Sequence, residues 1–257
     1  MEHLANKPLI EAIFEIRWQI NQSSQFPSEA NTQLILGRLF DRLKTNYPHY
    51  EPLPFANVPE MMAEGLVKHR FKSEKTWPLI QLGTGILTIN DTENYLWNDF
   101  KPRVMDVVSQ LHDSVPNQEE FKTKNLMLKY VDAIDINSEE DIYNFLQEKM
   151  QLNISLNTAL FENTYLQKKP VQLDLTLSFE CEKPKGILNF RIFQGKKTDN
   201  TGKIISDALI WETTIQSNEN DLPDISTKLD QWLEEAHHVT HNWFFALVDG
   251  ELLGRFQ

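Results

Sequence analysis

The chain has 257 residues, 40% hydrophobic and 11% aromatic, which is enough to bury a substantial core and too apolar for a disordered segment. Its 37 acidic residues outnumber 25 basic ones, for a formal net charge of -12. The basic stretches at Lys122, Lys124 and Lys129, at Lys183 and Lys185, and at Lys196 and Lys197 are short and interleaved with acids, so duplex nucleic-acid binding driven by phosphate neutralisation is not expected.

Residues Leu9 to Ile20 alternate. Ile10, Ala12, Phe14, Ile16, Trp18 and Ile20 share one parity, while Glu11, Glu15, Arg17 and Gln19 share the other. A period of two with one polar side predicts an antiparallel strand with one face on the core. Pro27-Ser28-Glu29 opens a helix whose stripe is Leu34, Ile35, Leu39, Leu43 and Tyr47. Pro48, Pro52 and Pro54 end it and predict a stiff extended connection. Short strands follow at Gly65 to Lys72, Leu79 to Leu82 and Ile86 to Asn90, the last two joined by a Gly83-Thr84-Gly85 turn. Trp97 to Val115 reads as a helix with Val104, Val107, Val108 and Leu111 on its core side and Pro102 in an early turn.

The order then repeats. Leu126, Leu128, Tyr130, Ile134 and Ile136 alternate as a strand, with Asp132 the odd polar residue on the apolar parity. Ser138-Glu139-Glu140-Asp141 is an acid-rich helix start, continued by Ile142, Phe145, Leu146 and Met150. Val171, Leu173, Leu175, Leu177, Phe179 and Cys181 alternate, and Cys181 is expected to be a buried, inert thiol. As the sole cysteine it excludes an intrachain disulfide. Strands at Gly186 to Phe193 and Ala208 to Ile215 flank an Asp199-Asn200-Thr201-Gly202 turn, and a helix from about Asp224 to Leu247 ends the pattern.

Residues 1–118 and 119–257 therefore both read β-α-β-β-β-α, an α+β architecture built from two halves. Pro116 to Lys124 is the candidate boundary, and no long linker divides the chain. We expect the halves to merge into one antiparallel sheet with the helices on one face, as in TATA-box-binding-protein-like saddles; two small domains are the alternative. In the merged sheet the strands carrying Phe14 and Tyr130 take equivalent, central positions. The other face would be a concave polar surface including Glu11, Glu15, Arg17, Gln172, Asp174, Thr176 and Ser178.

The segment Lys7-Pro8-Leu9-Ile10-Glu11-Ala12-Ile13-Phe14-Glu15-Ile16-Arg17 resembles the N-terminus of an uncharacterised, sporadically distributed bacterial family of about this length. Residues 80–90, Leu128-Lys129-Tyr130-Val131-Asp132-Ala133-Ile134 and Leu233-Glu234-Glu235-Ala236-His237 are similar to it too. Asp132 stands where that family is expected to carry Asn. The resemblance implies no activity. Its scattered distribution points to mobile-element, defence or toxin–immunity systems.

Two constellations could carry function. At 100° per residue, Asp230, Glu234, His237 and His241 fall on one stripe of the last helix. Imidazoles four residues apart with carboxylates a turn away suit a metal ion or an acid/base pair. The bland alternative is a solvated helix flank of ion pairs, with His238 facing solvent. The second set is Glu11, Glu15 and Arg17 with Lys129 and Asp132, a candidate polar binding site that could equally hold strand register. No phosphate loop, nucleophile elbow or cysteine ligand set occurs. The expected function is thus non-catalytic binding or interaction with a protein partner and no cofactor, and a homodimer stays open. Alternatives are an immunity protein that neutralises a basic toxin, and a metal-dependent hydrolase using the helix stripe. The start of the chain lacks the pattern of a signal peptide, and no apolar run approaches the roughly 20 residues of a membrane span, so the expected location is the cytoplasm.

Overall fold

The computed structural model describes residues 4–19, 28–59, 62, 64–92, 94–136, 141–198 and 201–257. In chain order its strands and helices are β1 (Leu9–Trp18), α1 (Ser28–Leu43), β2 (His49–Pro52), β3 (Val67–Lys72), β4 (Leu79–Gly83), β5 (Ile86–Asp91) and α2 (Trp97–Ser114). Then come β6 (Thr123–Ile136), α3 (Ile142–Lys149), β7 (Asp174–Glu182), β8 (Lys185–Thr198), β9 (Ile204–Asn218), α4 (Ile225–Leu247) and α5 (Glu251–Phe256).

All nine strands join one antiparallel sheet in the order β2-β3-β4-β5-β1-β6-β9-β8-β7. The two halves meet where β1 pairs with β6, with Phe14 opposite Leu128 and Ala12 opposite Tyr130. Outward from that seam each half repeats one sequence of neighbours: its first strand, its last strand, then the preceding strands in reverse. The strands of Phe14 and Tyr130 are therefore equivalent and central.

Strand parity decides which side chains meet the helices. Ala12, Phe14, Ile16 and Trp18 of β1 and Leu126 and Leu128 of β6 are buried on one side. Trp232 of α4 meets Phe14 edge-on with ring centroids 6.4 Å apart. Phe40 of α1 stacks on Phe71 of β3, and Trp243 of α4 lies against Phe179 and Phe190. One continuous core results, fed by all nine strands' apolar parity except at the β2 edge and by the four longer helices. Asp224 caps α4 by accepting from the Ser226 amide, and Asp141 caps α3 by accepting from the Tyr143 amide, which fixes where both helices begin. Gly85, at φ 72°, turns the chain between β4 and β5, a conformation that glycine adopts without strain.

Several expectations need correction. The proline-rich connection after α1 contains β2. His49 and Glu51 pair with Lys72 and Arg70, and the prolines are tolerated because β2 is an edge strand with Pro52 at its end. Ile10 and Leu34 share the apolar pattern yet are 53% and 41% exposed, since Ile10 lies at the end of β1 and Leu34 at the margin of its helix stripe. Cys181 is half-buried rather than sealed, because β7 is the other edge of the sheet and is only partly covered. Helix α5 had no distinct sequence signal. Ile20, Pro27, Ser138, Glu139, Glu140, Asp199 and Asn200 lie outside the described residues.

Candidate functional site

The polar side of the sheet brings four of the five expected strand residues together. Glu11, Glu15 and Arg17 on β1 stand beside Lys129 on β6, which lies opposite Ile13. Arg17 donates to Glu15 at 2.5 Å, and Lys129 pairs with Glu212 of β9 at 2.9 Å. Asn90 donates to Glu11 at 2.8 Å while accepting from Thr88 and Gln81. Farther out, Glu51 pairs with Arg70 and Lys72, and Asp174 with Arg191. Charge on this face is balanced locally.

Asp132 is not on that face. Its parity matches Leu126, Leu128 and Tyr130, so it points to the helix side, where it is 4% exposed. The expected five-residue polar set is therefore split by the sheet.

The helix stripe is split as well. Asp230 and Glu234 both hold Lys101 of α2, at 2.7 and 2.6 Å, on the outside of the α2–α4 contact. Burial pulls the Lys101 ammonium down, but its hydrogen bonds to the two acids leave it above its ordinary range. His237 turns inward and is buried. Among the described residues no group of three or more His, Cys, Asp or Glu side chains is placed to hold a metal ion. His238 is exposed, as expected, and meets Asn242.

His237 and Asp132 instead line one pocket of about 400 Å³ between the sheet and α4. This size falls in the range of small-molecule sites. Leu4, Lys7, Pro8 and Leu9 form one wall; Tyr95, Leu96 and Trp97 lead into α2; His241, Phe244 and Phe245 come from α4. The N-terminal segment is fixed there by an Asn6 amide bond to the Phe256 carbonyl and by Lys7 Nζ donating to the Tyr95 carbonyl at 2.6 Å.

A line of polar groups crosses the pocket wall. The Tyr95 and Tyr130 hydroxyls are 2.6 Å apart, and Tyr130 Oη is 3.0 Å from His237 Nδ1. The His237 ring stacks on Trp97 at 4.0 Å and 11°. Burial, with smaller help from His241, pushes the imidazole down to about 4, so it is neutral at pH 7. Its Nε2 is buried without a hydrogen-bond partner among the described residues, as are Trp97 Nε1 and Thr213 Oγ1. Burial alone pushes the Asp132 carboxyl up to about 8. Burial also raises both phenols.

Tyr95 and Thr213 carried no expectation, and Trp97 was expected only as the first residue of a helix. A signal for Thr213 existed: like Asp132, it is polar on the apolar parity of its strand, and it lies directly opposite Tyr130. Nothing local marked Tyr95 or Trp97, because their place depends on how the loop before α2 crosses the end of β6.

No family model matches the chain, and no curated protein matches it. Among solved structures it is similar to Methanococcus jannaschii TBP, at 10% identity over 90% of this chain and 99% of that one, with a TM-score of 0.26. The α+β architecture rests on the strand order and register. No helix among the described residues is long and apolar enough to cross a membrane.

Proposed function

We propose that the chain is a binding protein whose ligand site is the pocket between the central strands and α4. One observation carries this reading: among the described residues, Thr213 Oγ1, His237 Nε2 and Trp97 Nε1 are buried without hydrogen-bond partners, and with the buried Asp132 carboxyl, which no hydrogen bond or ion pair engages, they come from four separate elements to line one apolar cavity. Leaving such groups dry costs about 1–3 kcal/mol each, and a ligand that pairs them recovers that cost. The polar face supports the same choice from the other side, since its cations are matched by neighbouring acids and offer little excess charge for phosphate. A fragment screen by thermal shift tests it. Compounds with an apolar body should raise the melting temperature, and Leu96→Trp, which fills the mouth from a half-exposed position, should abolish the shift. A screen without hits, or hits indifferent to Leu96→Trp, would overturn the reading.

A second reading is favoured by the opposed protonation of Asp132 and His237. At neutral pH one holds a proton and the other lacks one, the pattern of an acid and a base in a single site. Chemical turnover of a bound compound, lost in both Asp132→Asn and His237→Gln, would replace binding by catalysis.

A further inference from the structure

We propose that the pocket takes an organic amine, with the ammonium against the carboxylate of Asp132 and an apolar body along Phe244 and Phe245. This inference rests on the pocket being a ligand site and names the ligand class.

Asp132 is the odd residue of the core. Its cross-strand neighbours are Leu9 on β1 and Trp211 on β9, and no hydrogen bond or ion pair engages its side chain among the described residues. An ionised carboxylate cannot persist there alone, because desolvation without a counter-charge is the costliest form of burial. The carboxyl is therefore protonated when the pocket is empty. A cation entering the pocket supplies the missing counter-charge, and the carboxyl releases its proton to solvent.

The groups facing Asp132 suit that cation. Tyr130 on its own strand, Tyr95 before α2, Thr213 on β9 and His237 on α4 carry no charge at neutral pH, and His241 of α4 completes the polar lining. Lys7, the lysine among the described lining residues, is engaged by the Tyr95 carbonyl, and it does not contribute to the shift of Asp132. A primary ammonium has three N–H donors. Among the described residues the pocket lining offers three acceptors: Thr213 Oγ1 and His237 Nε2, both buried without partners, the latter in the tautomer whose Nδ1–H donates to Tyr130, and the Asp132 carboxylate, which no hydrogen bond or ion pair engages. The aromatic walls of Tyr95, Trp97 and Tyr130 add the attraction of π-faces for a desolvated cation. A carboxylate ligand would meet Asp132 as a neutral acid but brings no donor for Thr213 Oγ1 or His237 Nε2, and a neutral alcohol, with one donor, would leave two acceptors unpaired.

Titration calorimetry of the full chain with three probes of one carbon skeleton tests this: 3-phenylpropylamine, 3-phenylpropanol and 3-phenylpropionate. The amine should bind at least about tenfold tighter than either of the others. Its affinity should rise between about pH 6 and about pH 8, as Asp132 is more easily ionised, while that of the alcohol stays flat. Asp132→Asn should cost the amine about tenfold or more and leave the alcohol unchanged, with a thermal melt showing the variant folded. Equal or tighter binding of the alcohol or the carboxylate would overturn the amine class while leaving the pocket a ligand site. Binding of none of the three would overturn both.

Discussion

On one side of the central strands, Glu15 reaches Arg17 at 2.5 Å, Lys129 reaches Glu212 at 2.9 Å and Glu11 accepts a hydrogen bond from Asn90 at 2.8 Å. On the other side, among the described residues, Asp132 on the same strand as Lys129 meets no donor, and Thr213 and His237 each keep an unpaired atom. The sheet is one residue thick, so this difference does not come from local sequence polarity. It comes from what lies opposite. Strand neighbours satisfy most of the polar side, Arg70 Nε excepted, whereas helices and the N-terminal segment cover the other side around the pocket. Paired, partly exposed charges hold register at little cost. Buried, unpaired groups carry a cost.

The largest expected effect tests the unpaired side. The Asp132 pKa in the folded chain, about 8, lies above its ordinary 3.8. A raised carboxyl stabilises the fold fully below 3.8 and loses that contribution as pH rises to about 8, because the unfolded chain gives up its proton first. Asp132→Asn lacks this loss. It should be more stable than the parent by roughly 2–4 kcal/mol at neutral pH and equal to it near pH 4, measured by urea unfolding at several pH values. His237 slopes the other way, since its contribution is lost as pH falls from 6.5 to about 4. Above pH 6.5 the Asp132 slope stands alone, so measurements there separate the two. A stabilising substitution in a buried pocket marks a residue kept for something other than stability. Parity of the two proteins at neutral pH would mean that Asp132 has a partner after all.

Tyr130→Phe comes next. It removes the hydroxyl between Tyr95 and His237 and leaves both of their polar atoms without that partner, with no change in volume worth noting. The expected loss is about 1–3 kcal/mol in the unfolding free energy. A neutral result would mean that water enters the pocket and serves both groups.

How much of this was legible follows the same division. The succession of elements and the central place of β1 and β6 could be read because parity along β1, β6 and β7 reports one buried side, and that side is set by short-range alternation. The β2 strand was hidden by Pro48 and Pro52, which argue against a strand except at an edge, and edges are defined only once the sheet is assembled. The helix stripe of Asp230, Glu234, His237 and His241 is real as an angular pattern, but α2 cuts through it: Lys101 takes the acids and Trp97 takes His237. Asp132 was visible as a breach of parity. Its meaning was not, since the pocket beside it is made by residues 4–9, 95–97 and 237–245, which only tertiary packing brings together.

The smallest effect belongs to the paired side. Lys129 and Glu212 keep 22% and 23% of their side chains exposed, so water already screens much of their attraction. Lys129→Met retains the stem that packs between Ile13 and Thr214 and removes only the charge. The loss should be at most about 1 kcal/mol, shrinking further in molar salt. Arg191→Gln, at the more exposed pair with Asp174, should not move the melting temperature measurably. If Lys129→Met cost as much as Tyr130→Phe, the polar face would be as dry and as poorly satisfied as the pocket. The contrast between the two sides would then no longer single out the pocket.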